Sequence, residues 1–268
     1  MNILLKSWKA LGRFTYQCAS PPHFYRWAGR LGPVFGVAAL VCIAVGLYGG
    51  LVLAPPDYQQ GDAFRIIYVH VPAAYLSMAA YMTMAVTAGI GFIWRIKLAH
   101  AVAVSAAPIG ASFTALALVT GMVWGKPMWG TYWQWGDARL LSELVLLFLY
   151  LGYLALRAAF DDRDRADKVS AILAVVGVVN LPVIHFSVEW WATLHQGPTI
   201  SKIGTPSITG EMLWPLLVMI VGFTLFFVWA LLKHTRAEVL ARELNARWVQ
   251  TLVTDAASRS GGGQRVPA

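Results

Sequence analysis

The chain has 268 residues, of which 58% are hydrophobic and 13% charged, and its mean hydropathy is +0.59. Soluble domains carry about 25% charged residues, so a water-surrounded globule of this composition would lack the polar side chains to coat its surface. The two cysteines, Cys18 and Cys42, sit in no C-x-x-C pattern, which excludes a disulfide framework and thiol redox chemistry.

The first 30 residues are basic over too long a stretch for a cleaved signal, and the apolar run behind them is span-length, so the segment reads as an anchor that stays. Apolar runs at about 33–53, 72–94, 101–124, 140–160, 169–188 and 212–232 are each long enough to cross roughly 30 Å of hydrocarbon. They predict an all-α polytopic membrane protein, a bundle of six transmembrane helices. The connection 54–71 (Pro55, Pro56, Asp57, Gln59, Gln60, Gly61, Asp62) is polar, 95–100 is a short basic turn, and 161–168 is dense in charge. Asn180 followed by Pro182 predicts a kink in the fifth span, because proline removes a backbone donor and crowds the preceding turn. That kink is expected to aim His185 toward the outer centre of the bundle. Residues 1–235 thus form the membrane domain. Residues 236–268 form a tail that begins as an amphipathic helix and ends in Ser-Gly-Gly-Gly, expected to be partly disordered.

Basic residues near span ends are retained on the cytoplasmic side. With both termini inside, all but four of the 21 Lys and Arg residues face the cytoplasm, leaving Arg65, Lys126, Arg139 and Lys202 outside. The net charge of +8 is then a topology signal and not a nucleic-acid patch. No G-x-x-x-x-G-K-[ST] motif occurs, so any ATP-driven step belongs to a partner.

This orientation puts loops 54–71, 125–139 and 186–211 on the outer face. The segment 124–137 holds Trp124, Trp129, Trp133 and Trp135 with Tyr132, spaced by glycine and proline. One or two tryptophans per span end would make an interfacial belt. Four in one loop suggest a flat aromatic shelf suited to a large planar apolar ligand. His70 in Tyr-Val-His-Val-Pro and His185 in Val-Ile-His-Phe-Ser stand at outer span ends, and a pair of neutral imidazoles is a common axial ligand set for haem iron. His195 sits in a polar loop, Thr-Leu-His-Gln-Gly, and reads as an ordinary surface residue. Arg139 and Glu143, four apart at the start of the fourth span, read either as a local ion pair or as site residues. Arg139 and Lys126, which flank the aromatic loop, are the leading counter-ions for acidic groups of such a ligand, with Arg65 and Lys202 behind them.

The run Trp-Gly-Lys-Pro-Met-Trp-Gly-Thr-Tyr-Trp-Gln-Trp (124–135) resembles the tryptophan-rich signature of the haem-handling protein family, within it the haem exporter protein C group of cytochrome c maturation. The resemblance extends over about residues 20–235 and includes segments 54–61, 65–74, 137–140, 142–150 and Ser-Val-Glu-Trp-Trp (187–191), which holds Trp190 and Trp191. Here Gly136 stands between Trp135 and Asp137, where the family pattern runs from tryptophan directly to aspartate. The resemblance implies six spans with cytoplasmic termini in a bacterial inner membrane. It implies haem b, held transiently and non-covalently, displayed at the periplasmic face between two histidines that fall on His70 and His185, with Asp137 and Arg139 beside the tryptophans. It implies as partners the ATPase and membrane subunits of an ABC transporter, a small single-span protein and a periplasmic haem chaperone. A haem-presenting role of this kind is not enzymatic.

Two other classes compete. An electron-transfer b-type cytochrome subunit would stack haems between histidine pairs buried within the bundle, and no such pairs occur in these spans. A solute permease would place polar groups near the midplane on broken helices, for which Asn180 and Pro182 are the only hint.

Overall fold

The computed structural model describes residues 20–191, 193–195 and 207–261. Among them the chain is helical, without a β-strand; one isolated bridge joins Asp57 and Gly61 in the loop after the first crossing. Six helical segments are long and apolar enough to cross a membrane: Pro21–Leu53, Asp62–Trp94, Lys97–Trp129, Ala138–Ala158, Arg163–Trp190 and Gly210–Arg242. Each overlaps one of the apolar runs in the sequence, so the polytopic helical fold is as expected.

The segments outgrow those runs for local reasons. Helix α1 (Pro21–Tyr48) begins on a proline, which fits the first helical turn because its missing N–H would have no partner there. It ends in one π-helical turn, Gly49–Leu53, where the chain packs without room for a side chain. A Cβ at Gly49 would lie 2.3 Å from the Trp214 ring, and one at Gly50 would lie 2.4 Å from the Tyr68 ring. A 3-10 turn, Asp62–Ile66, leads into α2 (Ile67–Trp94), and α3 (Lys97–Trp129) follows after a two-residue turn containing left-handed Arg95. Helix α3 passes through Pro127 and stops at Gly130, whose φ of 75° favours glycine. Helix α4 (Ala138–Ala158) is capped by Asp137. The fifth crossing is split into α5 (Arg163–Val176), a 3-10 turn (Gly177–Val179) and α6 (Asn180–Trp190), a break at the site where Asn180 and Pro182 predict a kink. Helix α7 (Gly210–Arg242) is the last crossing and α8 (Arg247–Gly261) follows it.

Helices α2 and α3 form the centre. Helix α2 packs on α3, α5 and α7, α3 also meets α4 and α7, α1 lies against α7, and α4 packs on α5 and α6. Lipid provides no hydrophobic drive between helices, so association rests on close contact and internal polar bonds. Both occur here. Tyr150 is fully buried, donates to the Ser77 carbonyl at 2.8 Å, and is admitted by Gly110, where a Cβ would meet its Oη at 2.1 Å. At the end of the bundle away from His70, Asp167 is 4% exposed and accepts from Arg242 at 2.7 and 3.0 Å and from Arg157, which ties α4, α5 and α7 together. Beyond 235 the chain continues α7 through Arg242; in α8 Val249 is buried, and Trp248 packs against a cluster that holds Phe24, Ala28 and Leu98. Residues 262–268, expected to be disordered, lie outside the described residues, as does Cys18.

Candidate functional site

A cavity with about 390 Å³ of empty space, open solvent included, lies between α2, α3, α4 and α6 at one end of the bundle. His70 and, successively one turn deeper, Ala74 and Met78 line it from α2; Gly121 lines it from α3, Arg139 and Glu143 from α4, and Ile184 from α6. His195, in the chain beyond α6, completes the wall.

His70 is fixed through one ring nitrogen. Its Nδ1 lies 3.0 Å from Thr120 Oγ1, and the Thr120 hydroxyl donates its own proton to the Leu116 carbonyl at 2.7 Å. The hydroxyl proton being spent, Thr120 accepts and His70 Nδ1–H donates, which leaves Nε2 with its lone pair free. Gly121 makes the close approach possible, since a Cβ there would sit 3.1 Å from His70 Cε1. Trp124 meets the imidazole edge-on at 5.6 Å, and its Nε1–H donates to Gln60 Oε1 at 2.8 Å, which joins the first outer loop to the site.

His195 is held in a matching way by Asp137. That carboxylate is 2% exposed; Oδ1 accepts from the Arg139 and Leu140 backbone N–H groups at 3.0 Å each, capping α4. Oδ2 accepts from the Leu194 N–H at 2.9 Å, and His195 Nδ1 lies 3.3 Å from Oδ1 and 3.4 Å from Oδ2. Burial opposes charge on Asp137, but the Leu140 and Leu194 N–H groups and the adjacent imidazole outweigh it and hold the carboxyl below its ordinary value. Burial holds His195 below 6.5 despite the attraction of Asp137, with Arg139 acting in the same direction as burial. The imidazole is therefore neutral at pH 7, with Nδ1–H turned to the carboxylate and Nε2 available, the orientation that a carboxylate imposes on a metal-binding histidine. The Trp129 ring lies against it at 4.8 Å and 62°, seated over Gly125, where a Cβ would be 2.8 Å from the ring.

The structure does not bring His185 to this cavity. The buried face of α6 carries Leu181, Ile184 and Ser187. One residue on from Ile184 is about 100° around the helix, so His185 is exposed and packs edge-on against Phe186 at 4.7 Å. The break before Asn180 turns the face of Ile184 inward, and not that of His185. Its cause includes a bond from Asn180 Nδ2 to the Ser142 carbonyl at 2.9 Å.

The tryptophans do not form one flat surface. Trp124 and Trp129 are on helix α3, which Pro127 does not end, and only the turn 130–137 is irregular. Trp133 and Trp135 meet at 5.5 Å with planes at 70°, Trp133 half-buried and Trp135 72% exposed. Trp190 stacks on Phe186 at 5.3 Å and 22°, and Trp191 is exposed beside it. Of the four cations expected outside, Lys126 donates to the Gly130 carbonyl at 3.0 Å and lies over the Tyr132 ring, while Arg65 is bonded to Asp62 and the Gly50 carbonyl. Lys202 lies outside the described residues. Arg139 lines the cavity, and no ion pair joins it to Glu143. Among the described residues, no group of three or more His, Cys, Asp or Glu is placed to hold a bare metal ion.

From sequence His195 reads as an ordinary surface residue, and Thr120 is not singled out at all. The spacing of Leu181, Ile184 and Ser187 carries the phase that separates His185 from the core. Thr120 has no distinguishing local signal.

The family model described as heme exporter protein C matches residues 14–250. A protein of that name from Haemophilus influenzae is 51% identical over 240 residues, covering 90% of this chain and 97% of that protein. The Escherichia coli K12 protein of the same name is 50% identical over 92% of this chain and 97% of its own length. One from Bradyrhizobium diazoefficiens is 45% identical over 92% of this chain and 94% of its own.

Proposed function

The chain belongs to the haem exporter protein C family, and from that premise we propose that it binds haem b non-covalently at the periplasmic face of a bacterial inner membrane and presents it to a periplasmic haem chaperone for c-type cytochrome biogenesis. Both termini face the cytoplasm. It acts within a haem export complex with an ABC transporter's ATPase and membrane subunits and a small single-span protein; the chain carries haem and does not convert it.

One observation carries this reading: a single cavity is lined by His70 and His195, and each has Nδ1 tied to a fixed acceptor so that Nε2 is free. Two such nitrogens make an axial ligand pair for haem iron. This shifts the second ligand from His185 to His195. Thr120 and Asp137 orient the two imidazoles, and Trp124 and Trp129 pack against them. Arg139 is the cavity's cation and pairs with a propionate, for which a guanidinium has the bidentate geometry. Trp133, Trp135, Trp190 and Trp191 supply apolar area for the macrocycle near the opening.

Purified protein tests the reading through its haem content. His70→Ala and His195→Ala are expected to lose most of the bound haem, while His185→Ala keeps it. Equal retention in all three would remove histidine ligation from the account.

A further inference from the structure

Glu143 lies one turn deeper than Arg139 on α4 and lines the same cavity. It is 8% exposed, and its Oε1 is buried without a hydrogen-bond partner. The i, i+4 spacing on a helix would permit an ion pair with Arg139, yet none forms, although other Arg–carboxylate pairs in the molecule do. The Ser77 hydroxyl, which bonds the Ala74 carbonyl at 2.8 Å, also reaches the Glu143 carboxyl, and the Tyr150 hydroxyl is committed to the Ser77 carbonyl at 2.8 Å, so Oε1 is the oxygen without a donor. The side of Glu143 left open is the cavity. A buried carboxyl oxygen without a partner is costly, and beside a guanidinium in the same cavity it marks where a polar group of the ligand belongs.

We propose that Glu143 is a ligand-binding residue which, with Arg139, receives one carboxylate of the bound porphyrin. This inference rests on the haem reading above and adds its selectivity: the cavity's inner end recognises a propionate, and so distinguishes a porphyrin acid from its ester. A cationic group would meet the Arg139 charge directly, whereas a carboxylate is neutralised by it. The propionate and the Glu143 carboxyl share one proton between their oxygens, an arrangement available to paired carboxyls shielded from water. No bond is made or broken other than that hydrogen bond.

The test compares iron protoporphyrin IX with its dimethyl ester on detergent-purified full-length protein carrying native Glu143, Glu143→Gln or Glu143→Met. The native chain is expected to bind the free acid about tenfold tighter than the diester, the size of one lost hydrogen bond to a charged group. Glu143→Met should lose about that factor for the acid and nothing for the diester. Glu143→Gln, whose amide can still donate, should keep the preference. A two-imidazole absorption spectrum in every variant reports that the histidines and the fold are intact. Native preference retained in Glu143→Met would overturn the inference. Absence of any two-imidazole spectrum in the native protein would instead overturn the haem reading, and this inference with it.

Discussion

At the scale of residues, the proposed site rests on two imidazoles whose Nδ1 atoms are tied down by Thr120 and Asp137. Thr120 is an acceptor only because its own proton goes to Leu116. Thr120→Val would remove that acceptor and leave the imidazole the Ala117 carbonyl alone, at a cost of up to about 1–3 kcal/mol. The expected outcome is weaker haem retention in Thr120→Val with recovery in Thr120→Ser, measured as haem per protein after purification. Asp137 divides its backbone bonds between its oxygens, Oδ1 capping α4 and Oδ2 holding Leu194, while His195 Nδ1 faces both. Asp137→Asn preserves one carbonyl oxygen for the cap but substitutes an N–H₂ where the Leu194 N–H needs an acceptor. It should therefore keep the thermal stability of the apoprotein while lowering haem occupancy. Asp137→Ala should lower both, with about 1 kcal/mol lost at the cap. Unchanged occupancy in Asp137→Asn would separate the carboxylate from His195 function.

At the scale of elements, the six crossings were legible because an apolar run of span length has few alternatives in a chain so poor in charge. Their ends were less so. Arg26 and Arg30 lie inside α1, and Trp124 and Trp129 inside α3, because a helix does not stop where its side chains turn polar or aromatic; it stops at Gly130, where the backbone turns left-handed. The kink at Asn180 was legible from Pro182, but its direction was not. That is set by which face of α6 meets α4, a tertiary fact that puts Ile184 inward and His185 outward. Asp137 was legible by resemblance despite Gly136, and its role as the α4 cap accounts for its position relative to Arg139. Close packing offers a test at this scale. Gly110→Ala would drive a methyl against Tyr150 Oη at 2.1 Å, whereas Gly89→Ala would meet only Val175 Cγ2 at an ordinary 3.5 Å. Thermal unfolding in detergent should show Gly110→Ala destabilised by about 1–3 kcal/mol and Gly89→Ala unchanged or slightly stabilised. Equal melting of the two would contradict the α3–α4 contact.

At the scale of the whole molecule, the bundle keeps its two polar assemblies at opposite ends. The Asp167 cluster locks α4, α5 and α7 far from the histidines. Removing its buried anion leaves Arg157 without its carboxylate beside Arg242, which keeps only Glu238, and breaking a buried pair in this way costs about 3–5 kcal/mol. Asp167→Asn should thus lower the melting temperature of the apoprotein while leaving the haem spectrum of the surviving folded fraction native. A changed spectrum would mean that the two ends are coupled. The central claim is that the iron ligands are His70 and His195, and it is tested most directly by exchanging a ligand without deleting it. His195→Met should produce a His–Met haem with a changed absorption spectrum and a raised reduction potential, while His185→Met leaves both as in the native protein. The reverse pattern, with His185→Met altering the iron and His195→Met silent, would contradict the account.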